Sequence, residues 1–260
     1  MTTTTNPNEP LLLKTNLKEL RLPTMGRECQ KLAREAATAN LGYEQYLLGL
    51  TELEVATRHA NALRTRIKQA GFPGLKDLDS FDFTATPTLN KHKVLELTRC
   101  QWIDEHVNAC LIGNAGTGKT HVAIALGLAA CRHGKRVRFF TAAHLVNQLE
   151  EAQKQYQLDR YLSRLDKTDL IVVDELGYLA FSRTGAELLF QVFADRYERA
   201  SILLTSNLPF AEWVQIFQGE RMTAALLDRL THRCHIFEMN GPSYRFKESV
   251  KANQEKPHKP

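Results

Sequence analysis

The chain has 260 residues, 43% of them hydrophobic, enough for a real core in one domain or in one domain with a smaller appendage. Its formal net charge of +5 permits a surface for nucleic acid or acidic lipid without requiring one. No apolar run approaches the roughly 18 residues a membrane helix needs, and the opening stretch has neither the basic start nor the apolar segment of a signal peptide. Cys29, Cys100, Cys110, Cys131 and Cys234 include no Cys-x-x-Cys pair. Free thiols in a reducing compartment, and a cytoplasmic protein with no membrane partner, are therefore expected.

Residues 1–10 are rich in Thr, Asn and Pro and read as a disordered tail. Apolar residues then recur at helical spacing (Leu13, Leu17, Leu20, later Tyr43, Tyr46, Leu47, Leu50), with breaks at Pro23 and Gly42. Residues 11–74 form a small helical N-terminal domain ending in the breaker Ala70-Gly71-Phe72-Pro73-Gly74. Cations line this region. Lys14, Lys18 and Arg21 share one helix face, as do Arg27, Lys31 and Arg34. Between Val55 and Lys76 there is no acid, but there are Arg58, Arg64, Arg66 and Lys68. Such stripes suit a phosphate backbone or, equally, form a solvated helix face.

From residue 75 to 240 the pattern alternates. Helical periodicity over 90–106 leads to the apolar strand Ala109–Gly113, and a helix starts at Lys119. Arg136–Thr141 is a strand, and 142–165 reads as one long amphipathic helix. Leu170–Glu175, Ser201–Asn207 and His235–Met239 are further strands, with a helix over 185–199. Strands apolar on both faces that alternate with helices make a parallel α/β sheet covered by helices. Residues 241–260 are a polar C-terminal tail. His232 and His235 flank Cys234 but lack the rest of a tetrahedral ligand set, so zinc is not expected.

The segment Gly113-Asn114-Ala115-Gly116-Thr117-Gly118-Lys119-Thr120 fits G-x-x-x-x-G-K-[ST] in full, after a buried strand and before a helix. The glycines let backbone N–H groups wrap phosphate oxygens, and the helix N-terminus adds positive potential. Lys119 is placed to reach the β- and γ-phosphates of ATP, and the Thr120 hydroxyl to ligate Mg²⁺. After four apolar residues of the next buried strand come Asp174 and Glu175. At the carboxyl end of a parallel strand they face the loop: Asp174 for the Mg²⁺ shell, Glu175 to polarise an attacking water. A third strand ends in Asn207, placed to hold that water if the strand lies between the other two. Phe81 and Phe83 fit two readings, stacking on adenine or packing in the core.

In this order, "GNAGTGKT", "LIVVDE", "LLTSN" and "LLDRL" resemble the AAA+ ATPases. More narrowly, "FADRYERASILLTSNLPFAEW", "LLDRLTHR" and "GPSYRFK" resemble the IstB-type ATPases, helpers of bacterial insertion sequences related to the DnaC helicase loaders. The resemblance implies an ATP hydrolase that self-assembles, binds double-stranded DNA and delivers it to a partner transposase. It places Arg229 as the arginine finger of a composite ATP site between subunits. It also sets Arg245 where relatives carry a second phosphate-sensing arginine. The pattern departs in one respect: little follows Met239, so no full C-terminal lid is expected. A replicative helicase loader is the alternative reading. A soluble nucleotide kinase is a remoter one, opposed by the Asp-Glu pair and the "LLDRL" arginine.

Overall fold

The computed structural model describes residues 9–244. Arg245 and the rest of the expected tail lie outside the described residues, as do residues 1–8. The chain divides into two compact units between Thr65 and Arg66, inside a long helix.

The first unit contains α1 (Glu9–Glu19), α2 (Pro23–Thr38) and most of α3 (Tyr43–Ala70). Leu17, Met25 and Leu50 are its buried apolar centre, with Tyr46, Leu22 and Leu32 packed around them. Pro23 opens α2 at a position where its missing N–H costs nothing. The next two N–H groups, of Thr24 and Met25, donate to the buried carboxylate of Glu54 at 2.8 and 3.0 Å. Arg58 donates to the other oxygen at 2.9 Å. Burial pushes the Glu54 carboxyl up, but these bonds outweigh it and hold the group below its ordinary range.

The second unit is built on a parallel sheet of β1 (Asn108–Ile112), β2 (Val137–Thr141), β3 (Leu170–Leu176), β4 (Ser201–Ser206) and β5 (Cys234–Glu238). Its order is β2-β3-β4-β1-β5. Strands β1 and β4 are buried along their whole length, as expected when helices cover both faces. The flanking helices are α4 (Lys91–Leu97), α5 (Gln101–Asp104), α6 (Lys119–Arg132), α7 (Ala142–Lys154), α8 (Leu158–Leu165), α9 (Arg183–Arg196), α10 (Val214–Phe217) and α11 (Glu220–Thr231). The main core joins Ile171, Val173 and Leu204 of the sheet to Leu145 and Leu149 of α7, Leu189 of α9, and Trp213 and Phe217. Helix α6, buried nearly all round, owes this to its run of small and aliphatic residues from Val122 to Cys131. No helix among the described residues is long and apolar enough to cross a membrane.

The single helix read over 142–165 is two. Tyr156 takes a left-handed backbone, φ 56°, and Gln157 N–H bonds back to the Ala152 carbonyl at 2.8 Å. That closure is a Schellman cap, which normally announces itself with glycine. Here a tyrosine fills the position, so the sequence carries no stop signal. The periodic stretch over 90–106 is likewise split, by left-handed Cys100. All five cysteines are free thiols, and the Sγ atoms of Cys110 and Cys234 lie 3.5 Å apart.

Arg196, at the end of α9, is buried and ties three segments together. Its guanidinium donates to the carbonyls of Leu165, Thr168 and Ser201 at 3.0–3.1 Å. Burial lowers its pKa to about 10. Replacing it with alanine strands three buried carbonyls that lead into β3 and β4. Arg196→Ala should lower stability by about 3 kcal/mol, measured by urea unfolding against the parent.

Candidate nucleotide-binding site

The sheet order puts β4 between β1 and β3, so three strand ends converge. They bound a cavity of about 290 Å³ lined by Gly116–Thr120, Glu175, Thr205 and Asn207, with Phe81 and Tyr244 on other sides.

Gly113, Gly116 and Gly118 all have positive φ, 146°, 79° and 91°. Each also lacks room for a side chain. A Cβ on Gly113 would strike the Met239 carbonyl, one on Gly116 the Ser243 hydroxyl, and one on Gly118 the Phe81 ring at 2.6 Å. The loop from Gly113 to Thr120 is thus a cradle whose walls are backbone. Tyr244 N–H donates to the Gly116 carbonyl at 3.0 Å. The chain just before Arg245 therefore lies against the loop, although the sequence reads it as the start of a solvated tail.

Lys119 is buried, and its Nζ donates to the carbonyls of Gly113 and Asn114, both at 2.7 Å. Asp174, 2% exposed, accepts at one oxygen from Thr120 Oγ1 (3.1 Å) and Thr205 Oγ1 (2.5 Å). Burial pushes its carboxyl above the ordinary range, against those hydroxyls and the Lys119 charge, which pull it down. The adjoining Glu175 is exposed and borders the cavity. Asn207 borders it too, with its Oδ1 buried and unpartnered among the described residues. A hydroxyl in contact with a carboxylate is an oxygen donor set that suits Mg²⁺. The cradle of N–H groups and the waiting amide oxygen suit the phosphates and water of a nucleotide reaction.

Phe81 borders the cavity and meets both Phe83 and His121 edge-on, with centroids 4.8 and 5.2 Å apart. His121 Nε2 is bonded to the Asp77 carbonyl oxygen at 2.6 Å. Phe83 carries Lys91 over its ring at 5.4 Å. Phe81 is thus the ring that faces the cavity, and Phe83 supports it.

Arg229 is elsewhere. It sits over the Phe190 ring, 5.3 Å from the centroid, in a small recess with Asn108, Tyr197 and Ile202. Asn108 and Ile202 are at the starts of β1 and β4, whereas the cavity is at the strand ends. Arg229 makes no ion pair among the described residues.

The N-terminal cations divide. Lys14, Lys18 and Arg58 border a cavity of about 1080 Å³ in the first unit. Arg58 is engaged with Glu54 and the Arg21 carbonyl. Arg66 donates to the Cys131 carbonyl at 3.0 Å and so caps the end of α6. Arg64 and Lys68 are exposed. Thr205, Ser243 and Tyr244 are site residues that sequence reasoning does not single out. The polar end of "LLTSN" was a usable signal for the first.

A parallel sheet of this order, with a phosphate loop after β1 and an acid pair ending β3, defines an AAA+ nucleotide-binding protein. The family model described as IstB-like ATP binding protein matches residues 15–252, and the chain belongs to that family. The ATP-binding protein of insertion sequence IS5376 from Geobacillus stearothermophilus is 40% identical over 229 residues, 88% of this chain and 91% of that one. Its counterpart in IS21 from Pseudomonas aeruginosa is 37% identical over 240 residues, 92% and 91% of the two chains. Among solved structures, AMPPCP-bound DnaA from Aquifex aeolicus aligns with a TM-score of 0.53 at 20% identity, covering 73% of this chain and 59% of that one. That likeness is one of fold.

The cradle generates a direct test. Gly116→Ala forces a side chain into a left-handed backbone and against Ser243. ATP-analogue affinity should fall at least about tenfold, read by titration with a fluorescent analogue, the left-handed strain alone being about 1–2 kcal/mol.

Proposed function

We propose that this protein is an ATP hydrolase that assembles on duplex DNA and delivers it to a partner transposase, hydrolysis then releasing the assembly. One observation carries the reading: Gly116–Thr120, exposed Glu175 and Asn207 line one cavity, Thr120 bonds Asp174 beside it, and the Asn207 Oδ1 is unpartnered among the described residues.

In this reading the loop N–H groups and Lys119 hold the phosphates. Lys119 exchanges its two carbonyl partners for phosphate oxygens, a stronger, charged pairing. Thr120 and Asp174 hold Mg²⁺, which when bound neutralises charge on the phosphates. Glu175 polarises the attacking water and Asn207 orients it. Arg229 lies near the starts of β1 and β4, at the opposite end of the strands from the cavity of its own subunit. That position, and its lack of an ion-pair partner among the described residues, support a finger acting on a neighbour in a homo-oligomer. Arg245 would follow directly on a segment that already touches Gly116, which favours a nucleotide-sensing role.

The insertion-sequence names of the relatives support the transposase as partner. The helicase-loader alternative rests on the relation to the DnaC loaders that the sequence resemblance implies. For DNA, the phosphate-contact candidates are Lys14, Lys18 and Lys68, which make no side-chain bond among the described residues, and exposed Arg64, which bonds only Asn61 among them. Arg58 and Arg66 already have an internal task. The proposed organisation is a helical domain over 11–74, an ATPase core over 75–240 and tails outside them.

Glu175→Gln should retain ATP binding, lose hydrolysis and trap the DNA-bound assembly; Lys119→Ala should lose binding itself. Filter binding of labelled ATP, phosphate release and duplex gel shift separate these outcomes. Equal loss of binding in both variants counts against the assigned roles.

Arg229→Ala should cut turnover by about 10³-fold while the isolated subunit binds nucleotide normally. Mixed with Lys119→Ala protein, it should regain activity, because some interfaces then contain one intact site. An assembled mixture with no regained phosphate release excludes a role in trans.

A further inference from the structure

The end of β3 holds an irregularity that the roles above do not use. Its pairing with β4 runs regularly from Leu170↔Ser201 to Val173↔Leu204 and resumes at Leu176↔Ser206. Two residues of β3, Asp174 and Glu175, therefore stand opposite one residue of β4, Thr205. This is a β-bulge, rare in parallel pairs and frequent beside active sites. It crowds together the two acids of the site and turns the Glu175 backbone left-handed, at φ 63°. For a residue with a long side chain that conformation is unfavourable by about 1–2 kcal/mol, so the surroundings must hold it.

One side chain is placed to do so. Thr205 Oγ1 donates to Asp174 Oδ1 at 2.5 Å and accepts from Glu175 N–H at 2.9 Å. The direction of both bonds is fixed, because a carboxylate only accepts and a backbone N–H only donates. Thr205 is 1% exposed, so water has no access to replace either bond. The next residue continues the tie: Ser206 Oγ donates to the Leu176 carbonyl at 2.7 Å and accepts from Leu208 N–H at 3.1 Å. Asn207, which borders the cavity, lies between these anchors.

We propose that Thr205 is a positioning residue whose hydroxyl clamps the bulge. It fixes the Asp174 carboxylate and holds the Glu175 backbone in the turn that brings its side chain to the cavity. Because Asn207 follows two residues on, the strand that leads to the water-orienting amide of the proposed reaction is also the strand that sets the acids. The proposal rests on the hydrolase reading for its consequence in turnover, but the clamp itself is a property of the protein without nucleotide.

Thr205→Val removes the hydroxyl at nearly constant shape, and Thr205→Ser keeps it. Three quantities are read: turnover, ATP-analogue affinity, and hydrogen exchange of the Glu175 amide without nucleotide or metal. Thr205→Val should lose about 100-fold in turnover, as small misplacements of reacting groups do, with analogue affinity unchanged. Its Glu175 amide should exchange about tenfold faster once its acceptor is gone. Thr205→Ser should match the parent in all three. A merely structural threonine predicts lower stability with parental turnover in the folded fraction, and that result overturns the proposal. So does a serine variant whose amide exchanges fast or whose turnover falls, whether or not the valine variant folds. If the parent hydrolyses no ATP, the hydrolase reading fails, while amide exchange still decides the clamp.

Discussion

A carboxylate almost sealed from water, Asp174, sets the terms for everything around it. Left alone in an apolar interior, such a group costs several kcal/mol or gives up its charge. It is satisfied instead by hydroxyls from two directions, Thr120 at the start of α6 and Thr205 on β4. Those two bonds join the three strand ends that border the cavity. The loop after β1 delivers Thr120, β3 carries the acid, and β4 lies between them. The sheet order is what makes this possible, since it sets β4 between β3 and β1 and puts Thr205 beside the acid of β3.

How far the sequence reveals this arrangement depends on the range of the interaction. The phosphate loop is legible because its glycines, lysine and threonine must occur at fixed spacing on one continuous turn. The acid pair is legible because four apolar residues precede it. The strand positions are legible from apolar runs too long to be half-exposed. By contrast, the bulge at Asp174 and Glu175 depends on register between strands, which no single strand encodes. The break at Tyr156 is hidden because a tyrosine takes a conformation for which glycine is the usual mark. The role of Arg66 depends on whether the end of α6 is nearby, and a basic stripe looks the same either way.

The first unit follows a different logic. Its buried centre is small, and Leu11, Leu12, Leu20, Tyr43 and Leu47 remain exposed. A thin core leaves much of the order to polar contacts, and Glu54 supplies them by binding two N–H groups at the start of α2. The same residue draws Arg58 inward. The cation pattern of the sequence is thus partly internal structure, and the remaining free cations are fewer than the composition implies.

The nucleotide cavity is bordered at one edge by Phe81, ahead of the sheet, and at another by Tyr244, beyond its last strand. The walls of the site are therefore drawn from both ends of the core, more than 150 residues apart in sequence. Anything that alters the chain just after β5 touches the phosphate cradle directly. A protease cut, an added tag or a fused partner at this point is not a remote modification. It changes the packing against Gly113 and Gly116, and with it the shape in which the phosphates are received.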